Sequence, residues 1–148
     1  MTRSKQDHFF GQVRAYWIVV IIMIFMAVGT STELFLLDHY EDQWQLAPIV
    51  LIGLSTAVFI LSLWKNSKEI IRLFKALMLG CAISGVVGFW FHLKANIEFE
   101  RELHPSSSGW VLISETLSGA LPTLAPGSMI VFASIGYLYT LLKLKQPK

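Results

Sequence analysis

Four runs of apolar residues, Tyr16 to Leu37, Leu46 to Trp64, Phe74 to Leu93 and Leu124 to Leu142, leave this chain few ways to fold. Each holds about 20 residues, and at roughly 1.5 Å per residue a helix of that length crosses the roughly 30 Å hydrocarbon layer of a bilayer. Transmembrane strands need only about 10 residues and alternate apolar with polar side chains, which these runs do not. A composition of 54% hydrophobic and 15% charged residues also lies outside the range of soluble domains. The fold expected is all-α: a polytopic membrane protein with four transmembrane helices in an antiparallel bundle. It forms one domain over residues 1–148, with a short interfacial segment at about residues 109–118.

Lys and Arg accumulate in cytoplasmic segments, so their placement orients the bundle. Arg3, Lys5 and Arg14 precede the first run, Lys65, Lys68, Arg72 and Lys75 separate the second from the third, and Lys143, Lys145 and Lys148 follow the fourth. Only Lys94 and Arg101 fall on the other side, together with all the acids except Asp7 and Glu69. Both termini are expected in the cytoplasm of a bacterial inner membrane, with the acidic loops extracytoplasmic. Trp17, Trp44, Trp64, Trp90 and Trp110 all lie at or beside a run's end, where amphipathic rings prefer the interface. Topology accounts for the cations, which removes nucleic acid as a partner and leaves the lipid bilayer and another membrane or periplasmic protein.

The basic amino-terminal flank and the Gly29-Thr30-Ser31 segment have some features of a signal peptide. The apolar character resumes at Leu34, however, and gives a span longer than the 7 to 15 residues typical of a signal's core. Cys81 is the single cysteine, so no intrachain disulfide forms, and a small apolar packing role suits it. Gly80, Ser84 and Gly88, at four-residue spacing in the third run, form a face on which a neighbouring helix can approach closely.

The stretch GTSTELFLLDHYEDQWQLAP, residues 29 to 48, carries Glu33, Asp38, His39, Glu41 and Asp42 with no Lys or Arg among them. By the orientation above, this cluster faces outward. Glu33 lies about one turn inside the first run, where an ionised carboxylate is costly unless paired or solvated. The third run closes with FWFHLKANIEFEREL, residues 89 to 103. Helical spacing gathers His92, Asn96, Phe99 and Leu103 on one face with Glu100 at its edge, and turns Lys94, Glu98 and Arg101 away. His39 joins this face only if the first helix ends before it, and Gln45 then reaches in from the start of the second. In GALPTLAPGSM, residues 119 to 129, Thr123 is placed to cap the last helix and Pro126 to occupy its first turn. The preceding SGWVLISETLSG reads as a short amphipathic anchor on the outer interface.

Imidazole and carboxylate are the ligands of zinc, iron, manganese and copper. Glu33, His92, Glu100, His39 and Glu41 are therefore the candidate metal ligands, with Asn96, Gln45 and Thr123 lining the same polar pocket. His8 and His104 lie in polar flanks and read as solvated. Haem would need His39 and His92 as an axial pair, which fits poorly with a His39 lying beyond the membrane. HExxH, GxSxG and phosphate-binding glycine loops are absent from the sequence. The pattern leaves three functions open: an outward-facing metal-binding protein, a noncatalytic subunit or assembly factor of a membrane complex, and a metal-free enzyme acting at the outer leaflet.

Overall fold

A computed structural model describes residues 3–119 and 121–144, with side chains from residue 10 onward. The side chains of Arg3, Lys5 and His8 are not among those described, and Lys145 and Lys148 lie outside the described residues. The chain forms five helices: α1 (Arg3–Leu36), α2 (Gln43–Trp64), α3 (Lys68–Leu103), α4 (Gly109–Leu117) and α5 (Gly127–Leu144). Four of them, all but α4, are long and apolar enough to cross a membrane.

Their surfaces are apolar on every side, as a lipid environment demands of a helix. Along α1, Tyr16, Val20, Met23 and Ala27 are buried, while Trp17, Ile21, Phe25 and Val28 are exposed on the opposite face. At 36 residues, α3 extends for about 54 Å, well beyond the roughly 30 Å a membrane requires. Its excess carries charge at both ends: Lys68, Glu69, Arg72 and Lys75 at the start, and Glu98, Glu100, Arg101 and Glu102 at the finish.

Helix α3 is the centre of the packing, touching α2, α4 and α5. Two glycines set its close approach to α5. A Cβ on Gly85 would lie 2.8 Å from the Pro126 carbonyl oxygen, and one on Gly136 would overlap the side chain of Met78. The small-residue face of the third run divides between neighbours. Gly80 faces Leu51 of α2, and Gly88 faces Pro126 just before α5. Near the basic end, Tyr139 meets Phe59, Phe74 and Tyr16 with ring centroids 4.8, 5.8 and 5.6 Å away. The Tyr139 hydroxyl shares a 2.9 Å hydrogen bond with Ser62, whose own hydroxyl donates to the Phe59 carbonyl. The buried Ser62 and Tyr139 hydroxyls thus satisfy one another across helices, where no water can serve them. Cys81 is buried beside Ser55, with the sulfur 3.5 Å from the hydroxyl.

Candidate functional site at the polar end

The turn after α1 brings the acidic stretch into place. His39 N–H donates to the Leu34 carbonyl and Asp38 N–H to the Phe35 carbonyl, with Asp38 in the left-handed region at φ 49°. This is the Schellman pattern of helix termination, built here on an aspartate where glycine is usual. The helix therefore stops before His39, and the His39 and His92 rings sit 6.4 Å apart between centroids.

Asp42 then starts α2. Its carboxylate accepts from the Trp44 and Gln45 N–H groups at 2.7 and 2.9 Å, while the Gln45 side chain accepts from Glu41 N–H at 3.0 Å. Helix capping by Asp is worth about 1 kcal/mol. Two carboxylates of the cluster, Asp38 and Asp42, thus do turn chemistry. Asp38 also accepts from the Tyr40 hydroxyl at 2.7 Å, which raises the Tyr40 pKa above that of an ordinary phenol. Gln45 is engaged with the turn itself. Glu33 and Glu41 are exposed, and the Glu33 side chain makes no hydrogen bond or ion pair among the described residues.

Burial lowers the pKa of His39 below the usual imidazole range; the nearby His92 pushes the same way, and Asp42 partly opposes both. His92 is half-buried, and its Nδ1 lies 3.1 Å from the Pro122 carbonyl oxygen. One turn further along α3, Asn96 is buried and saturated with hydrogen bonds. Its amide nitrogen faces the carbonyls of Thr116 and Leu121 and the Thr123 hydroxyl at 3.0, 2.8 and 2.8 Å. Its carbonyl oxygen accepts from Leu121 N–H at 3.0 Å. Gly119 passes so close that an added Cβ would lie 2.8 Å from the Asn96 side chain.

Thr123 is buried in this knot and donates to the Thr116 carbonyl at 3.3 Å. Helix α5 starts at Gly127, led in by tight turns in which the N–H groups of Ala125, Gly127, Ser128 and Met129 donate to the carbonyls of Pro122, Leu124, Ala125 and Pro126. Thr123 therefore ties the α4–α5 connection to Asn96, where the sequence placed it as a helix cap.

The last turn of α3 carries a different set of groups. Glu100 and His104, four residues apart, share a face, with the His104 Nδ1 3.4 Å from a Glu100 carboxylate oxygen. Glu115 arrives from α4, and the Ser107 hydroxyl donates to it at 3.5 Å. One ligand atom from each of Glu100, His104 and Glu115 lies within 4.8 Å of the other two. Glu100 is buried, Glu115 half-buried and His104 exposed. Among the described residues this is the one group of three such side chains drawn together closely enough to hold an ion. It shares Glu100 with the set read from sequence, whose other members, Glu33, His39, Glu41 and His92, lie outside it. His104 stands four residues from Glu100, a spacing the sequence does carry, whereas Glu115 comes from a separate short helix and no spacing or periodicity links it to them. By contrast, Lys94 and Glu98, 3.6 Å apart and both exposed, form a surface pair worth a few tenths of a kcal/mol.

Comparison with family models, with curated proteins and with solved structures found no match. The functional reading therefore rests on the residues and their geometry.

Proposed function

We propose that this is a multi-pass protein of a bacterial inner membrane that binds a divalent transition metal at its extracytoplasmic end through Glu100, His104 and Glu115. The observation that carries the reading is the convergence of these three donors from two helices within 4.8 Å, with Glu100 buried. A carboxylate is costly to bury unless it is paired or coordinated. The Lys and Arg excess at one end of the helices supports cytoplasmic termini. The contacts of Gly85 with Met129 and of Gly136 with Met78 support antiparallel passage of α3 and α5.

One imidazole nitrogen and two carboxylates suit zinc, manganese or ferrous iron, and copper(I) would favour the sulfur ligands this set lacks. Bonds of about 2.1 Å in tetrahedral array place ligand atoms about 3.4 Å apart, so the three donors close by roughly 1 Å around an ion. The exposed His104 ring has the freedom to do so. Three protein ligands leave a coordination position open for water or for a ligand from outside. In this reading His39 and His92 shape the neighbouring loops, and Glu33 and Glu41 are solvated.

Elemental analysis of detergent-purified protein tests the assignment. About one zinc, manganese or iron per chain is expected, lost in Glu100→Gln and His104→Ala and retained in His92→Ala and Glu33→Gln. Absence of stoichiometric metal, with a protein partner co-purifying at fixed ratio, would instead indicate the noncatalytic-subunit alternative. Metal lost with His92→Ala and kept with His104→Ala would move the ion to the other pair of rings.

A further inference from the structure

We infer that the seam between α3 and α5 at the basic end binds one anionic phospholipid, with its headgroup on Lys68, Arg72 and Lys75 and an acyl chain in the trough beyond them. A groove of about 500 Å3 lies along this seam, lined by Lys75, Met78, Ala82, Ala133, Ser134 and Tyr137. A second, of about 210 Å3, adjoins it through Lys75 and is lined also by Lys68, Arg72 and Leu144. On α3 the positions Lys68, Arg72, Lys75, Leu79 and Ala82 follow one another at spacings of four, three, four and three, so they form a single stripe. The stripe is cationic for its first two turns and apolar for the next two. Small side chains at Ala82, Ala133 and Ser134 keep the trough open.

Glu69 accepts from the Ser67 hydroxyl and interacts electrostatically with Arg72, while Lys68 and Lys75 make no ion pair among the described residues. The Lys75 ammonium lies 5.5 Å above the Tyr137 ring, held at the mouth of the trough. In a bilayer an acyl chain gains nothing by leaving bulk lipid for an equally apolar groove, so selectivity must come from the headgroup. Each Lys or Arg near the membrane surface favours an anionic lipid by about fivefold, so three together give roughly a hundredfold preference. The trough's contribution is to hold the bound lipid directly below the cations, which converts a diffuse attraction into a site. The complementarity of three cations with one anionic headgroup, directly above an apolar trough, commits the groove to a lipid occupant.

Native mass spectrometry of the purified protein with mixed micelles of phosphatidylglycerol or phosphatidylcholine tests this. Retention of about one phosphatidylglycerol is expected, with little phosphatidylcholine. Lys75→Gln should reduce the preference about fivefold. Ser134→Phe, which fills the trough and leaves every charge in place, should abolish retention while the thermal unfolding midpoint is preserved. Lys65→Gln, a cation in the same connection but outside both grooves, should change nothing. Equal retention of the two lipids overturns the inference, as does full retention by Ser134→Phe or an equal loss with Lys65→Gln. A dimer formed through this face without bound phospholipid also overturns it.

Discussion

His39 shows how much of the polar end turns on one residue's backbone. It reaches His92 because Asp38 adopts φ 49° and α1 ends at Leu36, before His39. A non-glycine residue in that region bears a strain of about 1 kcal/mol or more, offset here by the terminating hydrogen bonds. The same packing gives His39 a pH-dependent contribution to stability. Its pKa is lowered first by burial and then by His92, so the folded state binds fewer protons than the unfolded one between the lowered value and the usual imidazole value near 6.5. The contribution is therefore complete above that range and is lost as pH falls through it. Thermal unfolding midpoints measured in detergent from pH 7.5 down to pH 5 should fall more steeply for the native sequence than for His39→Gln. Parallel slopes would show that His39 is as well solvated folded as unfolded.

At the level of elements, the decisive joint is the one that fastens α4 and its connection onto α3. Asn96 holds the carbonyls of Thr116 and Leu121, the Leu121 N–H and the Thr123 hydroxyl, and it is fully enclosed by the loop that Gly119 lets pass. Removing a buried, multiply bonded amide costs about 2 to 4 kcal/mol, so Asn96→Ala should destabilise by that order. Gly119→Ala should destabilise alone by collision with Asn96, and the double variant should cost at least about 1 kcal/mol less than the sum. Additive losses, read from denaturant or thermal unfolding, would mean that the loop does not wrap this side chain. Loosening this joint also moves Glu115 away from Glu100 and His104, so metal retention should fall in parallel.

Part of this was readable in advance. Helical spacing separates buried Asn96 and Glu100 from exposed Lys94 and Glu98, because a periodicity of 3.6 is a property of the chain alone. The apolar run put the end of α1 at Leu37, one residue from the observed Leu36, but Asp38 offers no glycine signal for the terminating turn, and so the placement of His39 stayed conditional. Thr123 had the chemistry and position of a cap, and a longer-range bond to Asn96 took it instead. His104, read from its polar flank as solvated, is exposed; its proximity to Glu115 depends on the contacts between α3 and α4, which follow from how the chain folds back.

Across the whole molecule the four apolar runs were the most legible feature, because the thickness of a bilayer sets the length of any helix that crosses it. Which helices would touch was less so: the central role of α3, and its seam with α5 at Gly85 and Gly136, arise from fitting shapes that composition does not encode. The resulting molecule has two chemically distinct ends, one with Glu100, His104 and Glu115, the other with Lys68, Arg72 and Lys75. In the proposed topology they lie on opposite sides of one membrane, the proposed metal site outside and the proposed lipid headgroup inside. Single cysteines at Ser106 and at Asn66, in a Cys81→Ala background, test this most directly when intact cells are treated with a membrane-impermeant thiol reagent. Labelling of Ser106→Cys in intact cells, and of Asn66→Cys only after the membrane is opened, is the predicted result. Labelling of both in intact cells, or of Asn66→Cys alone, would contradict the account at its root.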